Sequence, residues 1–114
     1  MHKKGEEVYF SLGGKIEKGE TELQCLEREV WEEAGCKVIN TIFFESFEGL
    51  THDSKKTLRL SCYFVELVGE PKVSPADQIN GFVWVDRDYE KNGIVLAGML
   101  HTKIVPELIK RNLL

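Results

Sequence analysis

The chain has 114 residues, 42% hydrophobic and 30% charged, which fits one globular domain over residues 1–114 with a single core. No apolar run approaches the roughly 20 residues that span a bilayer, and the first seven residues carry no signal-peptide core, so no membrane partner is expected. The net charge of −4 is concentrated, because residues 20–33 hold six Glu and one Arg and the rest sum to about +1; no basic stripe marks a nucleic-acid polymer as partner.

In chain order, Val8-Tyr9-Phe10-Ser11-Leu12 reads as a short strand ending at Gly13-Gly14. Thr21 is an N-cap candidate, and Gln24 three residues on completes a capping box. A helix over about 22–34 follows, closed by Gly35 at C′. Strands are expected at 38–48 and 57–68, with the polar segment 49–56 as a turn. Residues 70–80, with Pro71 and Pro75, read as a loop, and Phe82-Val83-Trp84-Val85 as a short buried strand. The spacing of Leu100, Ile104, Leu108 and Ile109 predicts a helix over about 96–113, kinked or restarted at Pro106. This order predicts a mixed α/β domain with helices packed on a sheet.

At about 100° per residue, Leu23, Leu26, Val30 and Ala34 share the sector expected to face the sheet. Glu22, Glu29, Glu32 and Glu33 share a neighbouring sector with Arg28 at its edge. Glu29, Glu32 and Glu33 stand at i, i+3 and i+4, where like charges repel by a few tenths of a kcal/mol per pair. No Lys lies between Thr21 and Cys36 to alternate with them, as a salt-bridged surface face would have it. Clustered carboxylates suit hard cations such as Mg²⁺ or Mn²⁺, which take oxygen ligands. A solvated acidic face made of a strong helix former explains the helix equally well, so its spacing leaves both readings open.

The wider pattern separates them. From Gly14 the sequence reads G-KIEKG-E-TELQCLE-RE-V-W-EE-A-G-C, which resembles the Nudix box, G-x5-E-x7-R-E-U-x-E-E-x-G-U, with U a bulky aliphatic. Gly14, Glu20, Arg28, Glu29, Val30, Glu32, Glu33 and Gly35 match at the right spacing; Cys36 departs at the last aliphatic position, and Cys behaves as a small hydrophobe. The resemblance implies a mixed sheet sandwiched between helices (α/β/α). It also implies a metal-dependent pyrophosphohydrolase using Mg²⁺ or Mn²⁺, in which water attacks phosphorus of a diphosphate linkage. It assigns Glu29 and Glu33 as principal metal ligands and Glu32 as a further ligand or base. Gly14 would offer its carbonyl, and Glu20 and Arg28 would orient the carboxylates. Lys15 and Lys18, in the loop, are candidates for substrate phosphates or are simply solvated. The favoured substrate is a nucleoside triphosphate, ahead of a nucleotide sugar or dinucleoside polyphosphate. A non-catalytic nucleotide-binding regulatory module is the reading from another class, and the intact carboxylates speak against it.

The chain also departs from the family's pattern. Only 13 residues precede Gly14, where relatives carry a strand-rich segment, so the sheet is expected to be completed otherwise, for example by a homodimer. Gln78 stands where Glu is frequent, and Gln cannot act as a base, which leaves Glu32 ahead of Asp77. No Pro or Tyr is placed as in the subfamilies specialised for ADP-ribose or dinucleoside polyphosphates. Cys25, Cys36 and Cys62 are odd in number and form no CxxC pair, which predicts a reducing, cytoplasmic setting and a packing role for Cys25. His52 and His101 show no partner in sequence; Phe47, Tyr63, Phe82 and Trp84 read as core, with one of them available to stack on a nucleobase.

Overall fold

Thr21 is extended (φ −82°, ψ 168°), and its hydroxyl accepts from the Gln24 amide at 3.1 Å while the Gln24 side chain accepts from the Thr21 amide at 2.9 Å. This reciprocal pair satisfies two of the donors that a helix start leaves open, and α1 runs Glu22–Ala34 as the sequence predicts. Gly35 ends it in the left-handed region (φ 66°), donating to the Trp31 carbonyl at 3.0 Å. The structure, a computed structural model, describes residues 1–3, 8–50, 53, 55–72 and 79–114. His52, Pro75, Asp77 and Gln78 lie outside the described residues.

Strand β1 is His2–Lys3, β2 is Lys37–Leu50, β3 is Thr57–Val68 and β4 is Ile79–Gly81. β2 and β3 form a long antiparallel hairpin, with irregularities between Val38 and Asn40 and between Phe43 and Glu45 that let the strand bend. β1 pairs antiparallel with β4, so residues 79–81 form a strand where a loop was expected. The described residues thus form a small mixed α/β domain built on two two-stranded antiparallel sheets with helices.

α1 packs on one face of the hairpin. Val30, Ala34, Cys36 and Val38 are buried together, joined by Leu12, Leu26, Val65, Leu67 and Phe82. Cys36 is fully buried with its Sγ 3.6 Å from the Ala34 carbonyl and 3.7 Å from that of Gly69, so the thiol fills the aliphatic position as a small hydrophobe. Leu23, expected on this face, is exposed instead, because it lies in the first turn of α1 while the buried residues of the cluster, Val30 and Ala34, lie in its last turns. Side chains alternate along β3, so Phe64 points to the opposite face. There its ring meets Phe44 at 5.1 Å, with the Arg111 guanidinium 4.9 Å above Phe44 and 2.7 Å from Glu45.

Two predicted strands do not form as strands. In the segment 8–12 only Tyr9 makes a bridge, parallel to Leu96, its amide donating to the Val95 carbonyl and its carbonyl accepting from Ala97. Residues 82–85 are irregular, and Trp84, expected in the core, is 77% exposed. Both runs are apolar enough for a strand, but alternation supplies no partner, and a strand exists only through its ladder. At the C-terminus the helix begins with a π-helical turn, Leu100–Ile104, and α2 (Val105–Lys110) restarts with Pro106 in its first turn, where a missing amide costs least. A second core joins Tyr89, Leu96 and Val105. His101 has a partner after all: its Nδ1 lies 2.7 Å from the Tyr89 hydroxyl.

Candidate active site

Loop 13–20 folds back along α1, and one cation ties the two together. Arg28 grips Glu20 with both arms of its guanidinium, Nε to Oε2 at 2.8 Å and Nη2 to Oε1 at 3.0 Å. Its Nη1 donates to Glu29 at 2.8 Å and to Glu32 at 3.2 Å, and Nη2 donates to the Lys15 carbonyl at 3.2 Å. The bidentate geometry is the strong form of a charge-assisted bond. It holds the Glu20 carboxyl below its ordinary pKa, helped by the Glu17 amide at 2.8 Å, and drives the Arg28 pKa up. The expected repulsion among Glu29, Glu32 and Glu33 is thus offset by a cation on the neighbouring sector.

Glu33 is the buried acid of the site, 8% exposed, and its Oε1 accepts from the Gly13 amide at 2.8 Å. Gly14 lies directly against Glu29: a Cβ placed there would stand 2.5 Å from Glu29 Cδ and Oε1, so only glycine lets the loop backbone come so near. Cys25 is buried beneath the loop, its Sγ 3.6 Å from the Gly14 carbonyl, and burial pushes its thiol pKa up, as suits a packing residue. Gly14, Glu20, Arg28, Glu29, Glu32 and Glu33 therefore come together. Lys15 and Lys18 sit exposed on the loop.

Three contacts are invisible in the sequence. The Gly13 amide is the anchor of Glu33, although nothing but adjacency to Gly14 marks it. The Lys15 backbone carbonyl serves Arg28, whereas the sequence draws attention only to its ammonium. Glu22, on the acidic sector, leans toward the hairpin and accepts from the hydroxyls of Tyr63 and Ser61.

The helix thus carries Glu29, Glu32 and Glu33, with Arg28 donating to the first two and the Gly13 amide to the third. A family model described as NUDIX domain matches residues 2–95. The chain belongs to the Nudix family. It is accordingly a hydrolase acting on phosphoric anhydride bonds, a pyrophosphohydrolase in the general sense. No curated protein and no solved structure matches it. Nudix enzymes generally need divalent metal ions. Among the described residues no three His, Cys, Asp or Glu side chains already enclose a cation position, since Glu29 is turned to Arg28 and Glu33 to Gly13. The donor set nonetheless fits a hard ion, being all oxygen, and the Gly14 backbone lies against the Glu29 carboxylate while its carbonyl accepts from the Cys25 thiol at 3.6 Å. No helix among the described residues is long and apolar enough to cross a membrane.

Proposed function

We propose that the protein hydrolyses nucleoside diphosphate derivatives, nucleoside triphosphates first among them, in a reaction dependent on Mg²⁺ or Mn²⁺. The observation that carries this reading is the Gly14–Glu29 approach, with Glu33 held beside it by the Gly13 amide. Glu29, Glu33, Glu32 and the Gly14 carbonyl are the groups that would hold the ion. Bound there, a divalent ion neutralises phosphate oxygens and lowers the pKa of water.

The chain's own residues orient and transfer protons. Arg28 fixes Glu29 and Glu32 on the phosphate side, and Glu20 fixes Arg28. Water attacks phosphorus, the bridging P–O bond breaks, and the proton from water passes to the Glu32 carboxylate, the most exposed acid of the set. The leaving phosphate or diphosphate keeps the bridging oxygen with the electron pair of the broken bond, and Lys15 and Lys18, exposed on the loop, are the cations nearest in sequence to meet substrate phosphates.

The same reading takes the hairpin, with α1 on one face and Arg111 reaching the other, as the core of an α/β/α sandwich. It places the protein in the cytoplasm, where its three free cysteines stay reduced. It also pairs the chain as a homodimer through the hairpin, whose exposed Ile39, Ile42, Phe64 and Val68 gather toward one end.

The test is a panel of nucleoside triphosphates, nucleotide sugars and dinucleoside polyphosphates with Mg²⁺, read as released phosphate or pyrophosphate. Turnover should vanish with chelator and return with Mg²⁺ or Mn²⁺. Glu33→Gln or Glu29→Gln should lower kcat by two or more orders of magnitude, about 3 kcal/mol or more of barrier, with the fold retained. Full activity of both variants on every accepted substrate would remove the carboxylates from the chemistry.

A further inference from the structure

We infer that Glu22, Phe43 and Tyr63 form the subsite for the nucleobase of the substrate, with Phe43 stacking on the ring and Glu22 accepting from N–H donors on its edge. The inference rests on the nucleotide reading above and names the part of the substrate recognised.

Glu22 belongs to the same stripe as the catalytic carboxylates. At 100° per residue it lies within about 20° of both Glu29 and Glu33 around the helix, and seven residues of rise set it about 10.5 Å from Glu29 along the axis. That spacing suits a nucleoside whose phosphates lie at the Glu29 end. Glu22 leans away from loop 13–20 and toward β3, where the Tyr63 hydroxyl and the Ser61 hydroxyl (3.1 Å) both donate to it. These bonds keep its carboxyl ionised, with a pKa below the usual carboxylate range. An ionised carboxylate has about four acceptor positions, and these two donors leave others for a ligand.

Phe43 and Tyr63 are direct cross-strand partners, so their rings stand on the same face of the hairpin as Glu22's partner hydroxyls. Their centroids are 5.4 Å apart at 75°, an edge-to-face contact that fixes the Phe43 ring while leaving the residue 52% exposed. An aromatic face packed edge-on against Tyr63 and half open, next to the ring whose hydroxyl binds the acceptor-only Glu22, is suited to a flat heterocycle with N–H donors. The carboxylate best matches a base that presents two adjacent donors, as guanine does through N1–H and its amino group, because one carboxylate can take both. Hypoxanthine has the same ring without the amino group and isolates that contact.

The experiment uses the full chain with Mg²⁺ and three probes: guanosine triphosphate, inosine triphosphate and inorganic tripolyphosphate. The wild type should prefer the guanosine to the inosine substrate about tenfold in kcat/KM. Glu22→Gln replaces an acceptor-only group with an amide that both donates and accepts, and should bring that ratio near one. Phe43→Leu keeps an apolar strand residue but removes the π face, and should lower the preference for both nucleotides over tripolyphosphate about tenfold. The same changes should appear in Kd for guanosine monophosphate measured by calorimetry without metal. If the wild type cleaves nucleotides but both ratios survive the two substitutions, the subsite is wrong and the nucleotide reading stands. If the wild type cleaves neither nucleotide, the nucleotide reading falls and this inference falls with it.

Discussion

Adding one methyl group at Gly14 should separate the fold from the chemistry. The Cβ of Gly14→Ala would stand 2.5 Å from Glu29 Cδ and Oε1 and 2.8 Å from Oε2, where ordinary contacts begin at 3.4 Å. Something must therefore yield by about 0.9 Å. The Glu29 carboxylate is the far end of a flexible side chain, yet it is pinned by Arg28 at 2.8 Å, and the loop is pinned by Gly13 to Glu33. Overpacking of this kind costs roughly 1–3 kcal/mol. For a domain of this size that is a fall in Tm of roughly 5–15 °C, visible by circular dichroism. The loss of rate should be larger in proportion, because misplacing a reacting group by about 1 Å can cost on the order of 100-fold. The assay is kcat/KM on the best triphosphate at saturating Mg²⁺, measured well below the variant's Tm. A Gly14→Ala protein that melts earlier but turns over like wild type would show that the close approach of loop and Glu29 serves packing alone.

Arg28→Ala should lower both activity and Tm, and Arg28→Lys should fail to restore either, because an ammonium cannot reproduce the two-armed grip on Glu20 while reaching Glu29; rescue by Lys would reduce Arg28 to a point charge. Acid should loosen the same pair. Glu20 has a folded pKa below its ordinary 4.5, so its contribution is present above that value and lost as pH falls through the folded pKa. The fall in Tm on acidifying below about pH 4.5 should therefore be shallower in Glu20→Gln than in wild type, and equal slopes would contradict the pairing. The proposed dimer predicts twice the chain mass by light scattering at micromolar concentration, lost on Ile42→Lys; a monomer at all concentrations would leave the hairpin end uncovered by a second copy.

Features set by near neighbours were legible in the sequence. The Thr21–Gln24 box and the Gly35 cap fix α1 to the residue, because both are exchanges within four positions. The stripe of Glu29, Glu32 and Glu33 follows from helix geometry, and β3 runs 57–68 as its apolar content predicts. Partners far along the chain were not legible. Glu22 finds Tyr63 across 41 residues, and Tyr89 finds His101 across the start of a helix that a π-turn has rephased. Trp84 fails as core for the same reason: a strand pattern at 82–85 promises burial only if another strand lies alongside, and composition holds no record of whether one does.

Arg28 is where local and distant order meet. Its place at the edge of the acidic sector can be read from the sequence, but that place alone would suit a solvated surface ion pair of little consequence. What distinguishes it is that its donors are divided among Glu20 and the Lys15 carbonyl on the loop and Glu29 and Glu32 on the helix. The loop and the helix carboxylates are therefore tied to one guanidinium, with Glu20 on its Nε and Nη2 and with Glu29 and Glu32 on its Nη1. Under the proposed function, a divalent ion held by Glu29 and Glu32 would compete with the same guanidinium. The arginine thus holds the acids in register in the structure, and under the proposed function a bound cation would take its place beside them.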